Sequence, residues 1–247
     1  MRQLRACWRF CAAMSHVLVG LVTILVKFPK LDELARHQRV QVWSVQMLAR
    51  LGVRLQVLGA PAVGGPMLLV CNHISWLDIT SLHAARFCRF VSKADIKHWP
   101  VVGKLAMGVE TLFIEREKRR DAMRVVHHMT EALRDGDVLG IFPEGTTSDG
   151  VGMLPFHANL FQAAIVANAP VQPVALRFVD VASGQRSLAP CYVGDDTLFG
   201  SLWRTLKADP ICVVVRFGEP QYYGGRDRRA WAADLQAEID RLRQLPV

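Results

Sequence analysis

The sequence predicts an α/β fold, a single domain with a central, largely parallel or mixed sheet flanked by helices and preceded by an N-terminal membrane-associated helical hairpin. Three observations predict it. From residue 53 onward, short apolar runs of strand length alternate with longer helical patterns. Before that point, an apolar stretch from Cys11 to Val26 follows Arg2, Arg5 and Arg9. A second segment, Leu34 to Leu51, carries an amphipathic helical pattern. Residues 1–50 therefore read as membrane-anchoring helices and residues 51–247 as the α/β domain.

The first apolar stretch ends at Lys27, Phe28 and Pro29. It is short for a full span, which takes about 20 residues. No small-x-small cleavage site follows it, which argues against a cleaved signal. An anchoring or half-inserted helix is the favoured reading, with a buried core helix as the alternative. In the second segment Val40, Trp43, Met47 and Leu51 recur at helical steps, with Arg36, Arg39 and Arg50 off that stripe. This helix either lies in the membrane interface or packs on the domain, with the pair bent at Pro29. Val53, Leu55 and Val57 alternate like a strand, and Pro61, Gly64, Gly65 and Pro66 make a turn. Further strands are expected at 67–71, 88–92, 110–115, 138–142, 172–178 and 211–217. Helices are expected at 78–86, 120–135, 157–168 and 228–243. Trp231, Leu235, Ile239 and Leu242 give the last helix a face that docks on the core.

Composition narrows the function classes. The 247 residues are 51% hydrophobic and carry a formal charge of +8. That balance suits an anionic membrane surface or an anionic substrate. Nucleic acid is not expected as a partner, because no basic stripe with interleaved aromatics and no recognised binding motif occurs. Six cysteines stand apart with no CxxC pair, so neither a disulfide framework nor a metal site is expected. Cys71 and Cys212 lie in apolar runs and read as core.

Two stretches carry chemistry. Asn72 and His73 follow the apolar run 67–71, and Asp78 comes five residues after His73, at the start of a helical pattern. If helical, that spacing is about one and a half turns. A carboxylate there can accept the imidazole Nδ1 proton and leave Nε2 as a base. Ser75 is not read as a nucleophile, since no GxSxG elbow surrounds it. His127 and His128 have charged neighbours and read as a solvated helix face or a partial core contact. The second stretch is Phe142-Pro143-Glu144-Gly145-Thr146, directly after the run 138–141.

Together these stretches resemble the glycerolipid acyltransferase family. Asn72, His73 and Asp78 look like its first block, NHxxxxD, and Phe142 to Thr146 like its third, FPEGT. Gly108 to Arg116 is similar to the second block, and Val171-Gln172-Pro173-Val174 to the fourth. The four occur in the family's order across roughly residues 50–220. The resemblance implies an O-acyltransferase with His73 as general base and Asp78 as its orienting partner. Implied substrate-binding residues are Asn72, Arg116, Glu144, Gly145 and Thr146, with Arg116 meeting a phosphate. Lys93, directly after the strand at 88–92, is a second candidate phosphate contact by its position. No cofactor is implied, only acyl-CoA or acyl-ACP (acyl carrier protein) as co-substrate. The acceptor would be a lysolipid, 1-acyl-sn-glycerol 3-phosphate first. The implied location is the inner (cytoplasmic) membrane, with the active site facing the cytoplasm. One departure stands out: Thr147 follows FPEGT where many members using lysophosphatidic acid carry arginine. The wording from Thr146 to Gly150 looks like a bacterial subgroup that includes acyltransferases completing ornithine lipids. A lyso-ornithine lipid is thus the alternative acceptor. An inactive lipid-binding homologue and a thioester hydrolase are the readings from other classes.

Overall fold

The computed structural model describes residues 1–114 and 119–246. Its centre is strand β2 (Met67–Cys71), buried on both faces. Met67, Leu69 and Cys71 point into one core layer and Leu68 and Val70 into the other. This is the two-sided burial that makes a parallel strand read as one apolar run. Around it lie β1 (Val53–Leu58), β3 (Arg89–Lys93), β4 (Leu112–Ile114), β5 (Val138–Ile141), β6 (Val171–Asp180) and β7 (Ile211–Phe217). The seven strands run in the order β1-β7-β6-β2-β5-β3-β4. Every pairing is parallel except β6 with β7, so the sheet is mixed but largely parallel, as expected.

Helices α1 (Arg2–Val22), α2 (Glu33–Leu51), α3 (Leu77–Ala85) and α7 (Leu198–Lys207) contribute to the first core layer. Helices α5 (Arg119–Arg134), α6 (Gln162–Ala167) and α8 (Arg228–Gln244) contribute to the second. A short helix, α4 (Val102–Gly108), precedes β4. Neither α4 nor α7 is expected from sequence. The strand expected at 110–115 is shorter: Glu110 has φ +58°, which no strand accommodates. The helix expected at 157–168 begins as a 3-10 turn at Ala158–Phe161. Cys71 is buried, while Cys212 is only half-buried.

The N-terminal pair is a hairpin, turned by a π-helical turn at Thr23–Lys27 and a 3-10 turn at Phe28–Lys30. Arg36 Nε holds the bend by donating to the carbonyls of Phe28 and Leu31, both at 3.0 Å. Asp32 caps α2 by accepting from Ala35 N–H. His16 and Trp43 stack between the helices, and Trp43 Nε1 donates to the His16 carbonyl at 3.1 Å. The stripe expected on α2 is turned inward, with Val40, Met47 and Leu51 buried. Packing on the domain is therefore the reading that holds for α2. On α1 the apolar residues Leu18, Val19, Val22, Leu25 and Val26, the last two in its π-helical continuation, are exposed instead. The segment Arg2–Lys30 is long and apolar enough to cross a membrane, and only 17% of its most apolar window is buried.

The arginines that precede this stretch have partners on the protein. Arg9 Nη1 donates to the carbonyls of Leu206 and Ala208, and Arg5 to those of Lys207 and Ala208. These are the open carbonyls at the C-terminal end of α7, where cations are favoured. Gly52 lets Arg9 in: its φ is +80°, and a Cβ there would lie 2.2 Å from the Arg9 guanidinium. Arg9→Met should cost about 2 kcal/mol by orphaning these acceptors. Thermal unfolding in detergent should then show Tm falling by about 4–8 °C for a chain of this size. An unchanged Tm would mean that water caps α7 equally well.

Candidate active site

Parallel pairing builds the site. Val70 of β2 lies beside Ile141 of β5, so the segments leaving the two strands emerge side by side. Ligands bind at such carboxyl ends in open α/β sheets. His73 comes from the first segment and Phe142 to Ser148 from the second.

His73 Nδ1 and Asp78 Oδ2 are 2.8 Å apart. Asp78 is fully buried in the first turn of α3. Its Oδ2 also accepts from the N–H groups of Ile74 at 2.6 Å and Ser75 at 2.8 Å. A buried carboxylate held by several donors is fixed in place and acts as an acceptor. In the neutral ring this geometry puts the proton on Nδ1 and leaves the lone pair on Nε2. The ring stacks on Phe142 at 4.0 Å, and Phe142 stacks on Phe90. The His73 side chain remains 18% exposed, open enough to meet a substrate.

The third block holds His73 by its backbone. Glu144 Oε1 accepts from His73 N–H at 2.7 Å, and Oε2 accepts from Leu154 N–H at 2.8 Å. On the other side, Ser148 donates to the His73 carbonyl from its N–H at 2.8 Å and its hydroxyl at 3.1 Å. Glu144 is buried, and that burial raises its carboxyl pKa against the opposing pull of the two N–H donors. Gly145 closes the turn: its φ is +73°, its N–H donates to the Phe142 carbonyl, and a Cβ would lie 2.9 Å from His157 Nε2. Asn72 is fully buried and pairs with the backbone of Leu176 in β6 through both its amide groups, at 3.1 and 2.8 Å.

The expected substrate-binding residues thus occupy different places. Asn72 and Glu144 face inward and fix backbone. Thr146 is exposed at the end of the turn. Lys93 is exposed at the carboxyl end of β3, which pairs with β5. Arg116 lies outside the described residues. Thr147, the departure after FPEGT, donates its hydroxyl to the Tyr192 carbonyl and ties two loops together. Ser75 is buried and donates to the Pro190 carbonyl at 2.5 Å, so it is no nucleophile. His127 and His128 are exposed beside Glu131 on α5. Sequence reasoning missed Ser148 and Leu154, because the pattern shows residue types and not which backbone group each one meets. No cluster of metal-ligating side chains occurs among the described residues.

A His–Asp pair at the carboxyl end of a largely parallel sheet is an arrangement in which a histidine can serve as a base. The chain belongs to the acyltransferase family, whose pattern it matches over residues 40–177. It is 39% identical to the 1-acyl-sn-glycerol-3-phosphate acyltransferase of Neisseria gonorrhoeae, over 78% of each chain. It is 36% identical to the lyso-ornithine lipid O-acyltransferase of Brucella abortus, over 94% of this chain and 92% of that one. In fold it is similar to the crystal structure of the 1-acyl-sn-glycerophosphate acyltransferase PlsC from Thermotoga maritima. That match has a TM-score of 0.71 at 19% identity and covers 99% of both chains.

Glu144→Gln tests the backbone clamp. An amide keeps one acceptor oxygen but places an NH2 group against a backbone N–H. Loss of one such charged hydrogen bond is worth about 1.5–3 kcal/mol. The fall should appear in kcat, by about tenfold or more, with acceptor KM little changed. A rise in KM at constant kcat would instead make Glu144 a headgroup contact.

Proposed function

We propose that this chain is a membrane-bound O-acyltransferase acting on lysolipids. It would move a fatty acyl group from acyl-CoA or acyl-ACP to the free hydroxyl of 1-acyl-sn-glycerol 3-phosphate, giving phosphatidic acid. The observation that carries this reading is the His73–Asp78 bond of 2.8 Å, in a chain whose relatives are named for that reaction. His73 Nε2 takes the proton of the acceptor hydroxyl as its oxygen attacks the thioester carbonyl carbon. The resulting imidazolium is stabilised by buried Asp78. When the C–S bond breaks, the leaving sulfur takes the proton back from Nε2. Protons balance over the cycle, and no acyl-enzyme is needed.

The exposed apolar face of α1 supports anchoring in a membrane, and the free thiols of all six cysteines suit the cytoplasmic side of an inner membrane. Lyso-ornithine lipid is the second acceptor reading. It is favoured by the match to the Brucella abortus relative, which extends over nearly the whole chain.

The deciding assay gives purified protein a panel of lysolipids with each thioester donor. Acylated lysolipid should form, and His73→Ala should lower turnover by about 10²–10⁴-fold. Release of free fatty acid without lysolipid acylation would point to a hydrolase, and no turnover at all to a lipid-binding homologue. For the anchor, Val22→Glu with Leu25→Glu should release the protein from vesicles in a flotation assay. Continued flotation after a high-salt wash would place the anchor elsewhere.

A further inference from the structure

On the α8 side of the sheet, a polar cavity of about 220 Å³ opens between the loop at 150–152 and the end of α8. Arg177, Arg186 and Arg243 line it, and among the described residues no acidic side chain does. Arg243 is buried and holds the loop, donating from Nη1 to the Gly150 carbonyl at 3.0 Å and from Nη2 to Asp240 at 2.6 Å. Arg177 donates from Nη1 to the Arg243 carbonyl at 3.1 Å. The Nε atoms of Arg177 and Arg243 are buried without a partner among the described residues. Arg186 is exposed at the cavity and makes no hydrogen bond or ion pair among the described residues. Burial first, then the charges of Arg186 and Arg216, lower the Arg177 pKa.

Gathering guanidinium groups with so little opposing charge is unfavourable unless an anion joins them. Asp240, the carboxylate at hand, is already paired with Arg243. The planar fork of an arginine matches the oxygens of a phosphate or carboxylate. The cavity is smaller than the roughly 300–1,000 Å³ that drug-sized ligands occupy, which suits a headgroup and not a nucleotide. It also touches the catalytic frame. Leu176 in its wall is the residue paired with Asn72, and the loop at 150–152 continues from Ser148, which holds the His73 carbonyl.

We propose that this arginine cavity is a binding site for a compact oxyanion, a phosphate or carboxylate group supplied by a lipid headgroup or free in solution.

The test uses the full chain in neutral detergent, with thermal unfolding followed as inorganic phosphate or acetate is added against chloride at matched ionic strength. Wild type should show a saturable rise in Tm, as a ligand of the native state requires. Arg186→Glu and the milder Arg186→Gln, at an exposed side chain with no hydrogen bond or ion pair among the described residues, should lose it. A second arm compares kcat/KM for lysophosphatidic acid with that for a zwitterionic lysolipid, and only this arm rests on the proposed acyl transfer. A ratio that falls about tenfold in Arg186→Glu, the worth of one charged hydrogen bond, assigns the cavity to the acceptor headgroup. An unchanged ratio with lost stabilisation assigns it to a free anion. No saturable response in wild type, or an equal response in the variants, overturns the proposal. Failure of acyl transfer itself would leave the unfolding arm readable.

Discussion

The peptide unit of His73 is held at both of its hydrogen-bonding groups by the segment that leaves β5. Glu144 takes the N–H, and Ser148 gives two hydrogen bonds to the carbonyl. Asp78 then holds the ring. The His73 ring is thus positioned by two parts of the chain far apart in sequence, joined because β2 and β5 are parallel neighbours. A base must sit within hydrogen-bond reach of the proton it takes, so a frame fixed at this scale is what the reaction needs. The second oxygen of Glu144 carries the same constraint to Leu154, and the amide of Asn72 carries it to β6. The motif residues around His73 form one connected frame.

The N-terminal helices join the same body while leaving a face free. Ala6 and Ala13 of α1 and Met47, Leu48 and Leu51 of α2 belong to the first core layer. Gly108 lies against Ile24, where a Cβ would sit 2.5 Å from the isoleucine methyl. Close packing of this kind makes the hairpin a fixed platform. The outward apolar residues of α1 stay free on that platform.

The strands and the His–Asp pair were legible in the sequence, for physical reasons. A strand buried on both faces is a continuous apolar run, and β2 reads Met-Leu-Leu-Val-Cys. Asp78 lies five residues after His73 and one place into α3, so a local turn suffices to close the bond. Helix α7 was not legible because its pattern is inverted. Ser201 and Thr205 are buried, donating to the carbonyls of Pro190, Cys191 and Ala189, while Phe199 is 63% exposed. The placement of Asn72, Glu144 and Thr147 was also hidden. Each is a polar residue whose partner is a backbone group distant in sequence, and no spacing rule encodes that.

General-base catalysis by His73 requires that its proton sit on Nδ1 and not on Nε2. Nitrogen-edited NMR of histidine-labelled protein in detergent, with the His73 signals assigned by comparison with His73→Gln, measures this directly. For the neutral ring the structure predicts the proton on Nδ1, and a change of that signal pattern in Asp78→Asn. A proton found on Nε2 in the wild type, or signals indifferent to Asp78→Asn, would contradict it.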